Sequence, residues 1–235
     1  MISSETSSLR AAAARNNAEW CAAVCRSHGI PSSFGATVWR SAGRTPPYYP
    51  DVVTLRPDAA LQDFLPDVGL RGYSIKDSFA DLDLAVHGFV ELFAAQWIYR
   101  PAGLRAPATS LRTQRVCAGE LGAWQSAWHG GDDAPDVFRP ALLGDSSVLV
   151  LGFRRGEELV GGVVLNRSAG VVGLSNLFAV DSRDVGEVWS SAIAAAGGYC
   201  PGLPVVGYEQ GEDVVEALAS GFGVVGPLRV WVRGG

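Results

Sequence analysis

Between Val171 and Ala196 the chain reads VVGLSNLFAVDSRDVGEVWSSAIAAA, and this stretch constrains the fold more than any other. Val171, Val172, Leu174, Leu177, Phe178 and Val180 form a β-branched and apolar run, Asp181 to Asp184 a polar turn, and the remainder a helical pattern. The segment predicts strand, turn, helix. Such a junction aims the unpaired N–H groups of the helix's first turn beyond the strand, where the helix dipole favours an anion. Gly186 sits inside that turn, and its missing Cβ lets a phosphate approach the main chain.

Flanking segments extend the pattern. Leu203 to Tyr208 reads as a short apolar strand, and Glu212 to Ser220 as a helix with Val214, Val215 and Leu218 on one face, stopped at Gly221-Phe222. Gly223 to Arg233 reads as two strands meeting near Gly226-Pro227. Upstream, Ala118 to His129 predicts a helix, Ser147 to Phe153 a strand, Arg155 to Glu157 a turn, and Leu159 to Leu165 the hairpin partner. A helix between Val171–Val180 and Val205–Tyr208 makes a crossover of the length that joins parallel neighbours.

At Arg183-Asp184-Val185-Gly186-Glu187-Val188 the chain resembles a degraded pyrophosphate-binding loop of the GNAT acetyltransferases, Arg/Gln-x-x-Gly-x-Gly/Ala. Arg183 and Gly186 match, while Val188 replaces the last small residue. The order of elements over about residues 112 to 233, with a Gly-Phe pair after the final helix, is similar to the same family. The resemblance implies an α/β (α+β) fold with a mixed central sheet flanked by helices, whose two parallel strands splay at their C-terminal ends. It implies acetyl-CoA as cosubstrate, held by Phe178, Ala179 and Val180 of the strand and by Arg183, Asp184, Val185, Gly186, Glu187 and Val188 of the loop. It also implies an amine acceptor, small molecule or protein.

Acetyl transfer to an amine needs a partner for the carbonyl oxygen, a proton acceptor and an acid near the departing thiolate. The family takes the first from backbone of the central strand, here Phe178 or its neighbours, and the second often from a Glu on that strand or the next. The central strand offers Ser175 and Asn176, neither a base; Glu209 closes the next strand and is the best available carboxylate. A solvated strand-end Glu would look the same. Where the family has a Tyr on its last helix, this chain has Ala217, and Tyr208 substitutes only if its hydroxyl reaches the sulfur. Glu209, Tyr208 and Asn176 are therefore the candidate catalytic residues.

The first hundred residues are organised by a repeat. Leu9 to His28 predicts an Ala-rich helix after a frayed start, Phe34 to Trp39 and Asp51 to Leu55 strands, Ser41 to Pro50 a loop, and Pro57 to Leu65 a short helix. Gly72 to Phe79 reads as a strand, about Asp81 to His87 as a helix, and Gly88-Phe89 opens an apolar run ending Trp97-Ile98-Tyr99-Arg100. Gly221-Phe222 and the ending Trp231-Val232-Arg233 repeat this at an offset of 133, the distance from Gly88 to Gly221. The expectation is two related halves, residues 1–105 and 106–235, the first a decayed copy without its own cofactor site, since Pro57 removes an N–H donor. Lys76 and Asp77 form part of a polar cluster at a strand end, where Asp77 or Ser78 would cap the following helix and Lys76 could line a pocket between the halves.

Composition excludes other classes. An apolar share of 48% argues against disorder, and a formal charge of −5 against a nucleic-acid surface. No leader pattern or bilayer-length apolar run is present, so the expectation is a soluble, cytoplasmic protein with no membrane partner. Cys21, Cys25, Cys117 and Cys200 lack ligand spacing and read as small buried residues, and His28, His87 and His129 are scattered, so no metal site is expected. Three functions stay open: an acyl-CoA-dependent N-acetyltransferase, a catalytically silent ligand- or protein-binding module, and a structural protein without a ligand.

Overall fold

Alanine-rich sequence makes the first element, and its small side chains decide where it sits. The computed structural model describes residues 4–64 and 71–234, and α1 (Ser4–Ser27) lies across the middle of the sheet with Ala13, Ala14, Ala18 and Ala22 buried against it. Asn16 on this helix exchanges hydrogen bonds with Asn166 and donates to Ser168, which fixes its register on the sheet. Gly173 permits that approach, because a Cβ there would collide with both asparagine side chains.

Strands β1 (Ser32–Phe34), β2 (Val38–Ser41), β3 (Val52–Thr54), β4 (Ser74–Asp77) and β5 (Phe89–Arg100) come from the first hundred residues. Then follow β6 (Arg112–Arg115), α2 (Leu121–His129), β7 (Val148–Arg155), β8 (Glu158–Ser168), β9 (Val171–Ala179), α3 (Val185–Tyr199), β10 (Val205–Glu209), α4 (Asp213–Ala219) and β11 (Gly223–Arg233). Among the described residues all eleven strands join one mixed sheet in the order β1-β2-β3-β4-β11-β5-β10-β9-β8-β7-β6. Alternation along β8 sorts the two faces: Val164 joins the α1–α2 core, whereas Val163 and Leu165 join the core under α3 and α4.

The centre of the sheet is the long antiparallel pair β5–β11, running from Phe89 opposite Arg233 to Tyr99 opposite Gly223. Outward from it the sheet reads alike in both directions. An antiparallel partner comes first (β10 on β5, β4 on β11), then a parallel one (β9 on β10, β3 on β4), then two antiparallel ones (β8 and β7; β2 and β1). Strands β5 and β11 thus each lie beside strands from the other part of the chain.

Several local expectations are corrected. The helix begins at Ser4, within the stretch expected to fray. Phe34 to Trp39 is the turn of a hairpin, closed by the Gly35 N–H on the Val38 carbonyl at 2.8 Å. Neither Pro57–Leu65 nor Asp81–His87 is an α-helix: within the described residues they contain only 3-10 turns at Leu61–Asp63 and Ala85–His87, and Leu65 lies outside those residues. Left-handed Asp58 (φ 58°) breaks the first. In the second, the fully buried Asp77 carboxylate accepts the N–H groups of Phe79, Asp81 and Leu82, so it organises a loop where a helix cap was expected. Gly223–Arg233 is one strand carrying a bulge at Val224–Gly226. On α4 the buried residue is Ala217, with Val215 and Leu218 exposed, and Cys117 is exposed while the other three cysteines are buried.

Candidate active site

The parallel strands β9 and β10 are in register at only two positions, Val172–Val205 and Gly173–Val206, and then part. A bulge in β9 drives them apart. Ser175 faces Val164 and Phe178 faces Gly162 on β8, so β9 carries one residue too many between them, and Asn176 adopts φ 53°. An extra residue bends a strand and raises its twist, and Asn is among the side chains that accept the left-handed region. Strand β10 stays on β5 as far as Glu209–Gln96, so the gap opens on the β9 side.

A cavity of about 560 Å³ occupies this gap. Ser175, Asn176 and Leu177 line one arm, and Tyr208, Glu209 and Gln210 the other. Helix α1 supplies Asn17, Trp20 and Cys21 as a lid, and Lys76 of β4 reaches the same space. Another wall is the proline-rich loop before β3. Its shape is set by buried Asp51, which accepts the Thr45 N–H at 3.1 Å and pairs with Arg44 at 3.0 Å, while Thr45 Oγ1 donates to the Tyr49 carbonyl at 2.6 Å. Tyr49 then donates its hydroxyl to Asn176 Oδ1 at 3.3 Å, tying loop to bulge.

The three candidate catalytic residues, Asn176, Tyr208 and Glu209, therefore meet on one cavity. Burial, followed by the neighbouring charge of Asp213, pushes the Glu209 carboxyl up to about 8. Tyr208 packs edge-on against Trp97 and carries the Lys76 ammonium 4.0 Å above its ring centre. The cavity's aromatic walls and the Tyr49 link were not read from the sequence. The signal that could have found them is the pair Tyr48-Tyr49 framed by prolines, since such loops fix side chains at little entropic cost.

At the start of α3 the geometry is less open. The turn Ser182–Asp184 uses the N–H groups of Arg183, Asp184 and Val185 in its own bonds to Asp181 and Ser182, and Val180 donates to Val160. Arg183 lies along Asp181 with both Nε and Nη2 engaged, and Arg155 pairs with Asp184 and Glu187, each at 2.9 Å. The two cations nearest the turn are thus matched by three carboxylates. Gly186 faces open space. Val188 is buried, and its methyl groups occupy the room left by Gly161 on β8; its bulk therefore points into the sheet and not toward a phosphate. The Phe178 ring packs edge-on against Trp124, and its carbonyl lies toward Gly161 of β8. Among the described residues no group of His, Cys, Asp or Glu could hold a metal, and no helix is long and apolar enough to cross a membrane.

No family model matches the chain, and no curated protein matches it. Solved structures do. A GCN5-related N-acetyltransferase from Kribbella flavida superposes with a TM-score of 0.67 at 15% identity, covering 95% of this chain and 96% of that one. A conserved protein of unknown function from Staphylococcus epidermidis gives 0.58 at 10% identity, with 86% and 92% covered. A GNAT-family protein from Novosphingobium aromaticivorans gives 0.57 at 11%, with 92% and 97% covered.

Proposed function

We propose that this chain, which has the fold of the GCN5-related N-acetyltransferases, transfers an acetyl group from acetyl-CoA to an amine seated under α1. The observation that carries the reading is Glu209: a carboxyl held to about 8 at the point where two parallel strands part, inside a cavity. The fit to the cosubstrate is uneven. Among the described residues β9 has no strand partner on its β10 side beyond Gly173, so its backbone edge suits an extended, amide-bearing arm. Arg183 to Val188 would hold the pyrophosphate through the first-turn N–H groups from Gly186 onward, with Arg183 available only after leaving Asp181.

When bound, acetyl-CoA supplies a thioester carbonyl open to attack. Glu209 accepts the proton of the acceptor's ammonium, which frees the nitrogen lone pair. The new N–C bond would form as the C–S bond breaks, with the second proton of the attacking nitrogen passing to the departing thiolate by way of the Tyr208 phenol, and backbone N–H groups of β9 next to Phe178 would meet the carbonyl oxygen. Asn176, with Oδ1 occupied by Tyr49, has its amide N–H groups free to orient the acceptor. Ala217 is buried in α4 and brings no hydroxyl, so Tyr208 is the phenol assigned to return a proton to the thiolate.

The same reading treats residues 1–105 and 106–235 as related halves that exchange their last strands. In the first, the equivalent gap is shut: Thr54 Oγ1 accepts the Ser78 N–H at 2.8 Å where β9 and β10 would separate. A silent ligand-binding module is the second reading, favoured by the neutralised Arg183 and by Ala217. Calorimetric titration with acetyl-CoA, followed by thiol release across an amine panel, separates the two: binding with release supports the enzyme, binding alone the module.

A further inference from the structure

Lys76 is 3% exposed, on a strand in the interior of the sheet. Its ammonium donates to Asn17 Oδ1 at 2.8 Å and lies over the Tyr208 ring, and among the described residues no carboxylate comes within pairing distance. The nearby acids are committed elsewhere. Asp51 pairs with Arg44, and Asp77 turns to the loop N–H groups and to Arg229 at 3.4 Å. Cys21, in the same lining, is a thiol whose ionisation burial pushes to about 12, so it supplies no negative charge. A buried ammonium with one neutral acceptor and an aromatic face is costly to desolvate, and proteins keep such groups where a ligand completes the pair.

Lys76 and the acids Glu209 and Asp213 line the same cavity, and Tyr208, directly before Glu209 on β10, touches the cation. The lining also includes the aromatic residues Trp20, Tyr49 and Phe93.

We infer that the acceptor is a primary amine that also carries a single carboxylate, of amino-acid size with an apolar or aromatic body, and that Lys76 binds its carboxylate. The inference rests on the acyltransferase reading of the same cavity, in which Glu209 faces the amine. A monoanion matches one ammonium, whereas a phosphate dianion would leave excess charge in an apolar wall. Lys76 comes from residues 1–105, so the first half would act in acceptor selection.

The test compares phenylalanine with phenethylamine, two probes that share ring and amine and differ in the carboxylate, by calorimetric titration of wild type, Lys76→Met and Lys76→Arg. The expected result is at least tenfold tighter binding of phenylalanine by wild type, loss of that preference in Lys76→Met, and partial retention in Lys76→Arg. Thermal melts accompany it: removing a buried charge that waits for an external partner leaves the melting temperature of the ligand-free protein unchanged or raises it. A Lys76→Met protein that is destabilised or unfolded points to a purely structural lysine and overturns the inference, as does an equal affinity of wild type for both probes. Acetyl-CoA binding is measured separately on wild type. Its absence with the carboxylate preference intact removes the transferase reading and leaves the anion site standing.

Discussion

Glu209 concentrates the chemistry in one titrating group, and its consequences are opposite for activity and stability. As general base it works only when ionised, so kcat/KM should rise with pH to a plateau above about 8. Glu209→Gln should flatten that limb and lower kcat by roughly 10²- to 10⁴-fold, the usual worth of a positioned base, with acetyl-CoA affinity unchanged. Calorimetry and a pH–rate profile check both. For stability, the unfolded carboxyl ionises near 4.5 while the folded one keeps its proton to about 8, so the native state binds more protons across that window. Stability must therefore fall as pH rises between those values, and Glu209→Gln should remove the fall in denaturant midpoints. At Asn176, φ 53° sets a different expectation: Gly is tolerated, whereas Val costs about 1 to 2 kcal/mol and narrows the gap. Asn176 was legible in the sequence as a polar residue of the central strand; its left-handed backbone was not, because a single Asn in a strand gives no sign of a bulge.

Among elements, the β9–α3 unit was the most legible part of the chain, since its apolar run and helical repeat meet at one polar turn. The loop after β4 was the least legible. Its sequence repeats like a helix, but a buried Asp77 supplies the acceptor that three N–H groups need, and a local pattern cannot reveal that an aspartate will be buried. Two glycines test the junction. Gly186→Glu adds bulk and charge in open, exposed space, so acetyl-CoA affinity should drop tenfold to a hundredfold or more, about 1.4 to 3 kcal/mol, with little change in melting temperature. Equal, negligible affinity in wild type and variant removes the cofactor site altogether. Gly161→Ala does the reverse: a Cβ meets the Phe178 carbonyl and Val188, so stability should fall by about 1 to 3 kcal/mol. Adding Val188→Ala should recover only part of it, because the backbone clash remains.

For the whole molecule, the like endings at Arg100 and Arg233 suggested two related halves in the sequence, but the partner of each strand could not be read there. Matching patterns of apolar residues suit a strand for its own half or for the other equally well. Neither 1–105 nor 106–235 contains all the neighbours its strands pair with, since β10 needs β5 and β4 needs β11. Each fragment expressed alone should be insoluble or lack a cooperative melt, and co-expression should restore one; a well-folded monomer of 106–235 would contradict this. The exchange also sets the order in which the molecule can be built. As the chain leaves the ribosome, β5 appears long before its neighbours β10 and β11, and β11, the latest of the described strands, belongs near the middle of the sheet. Asp77 must wait for Arg229, so the nascent protein carries open strand edges until β11 has been made, and its folding is tied to the emergence of that strand.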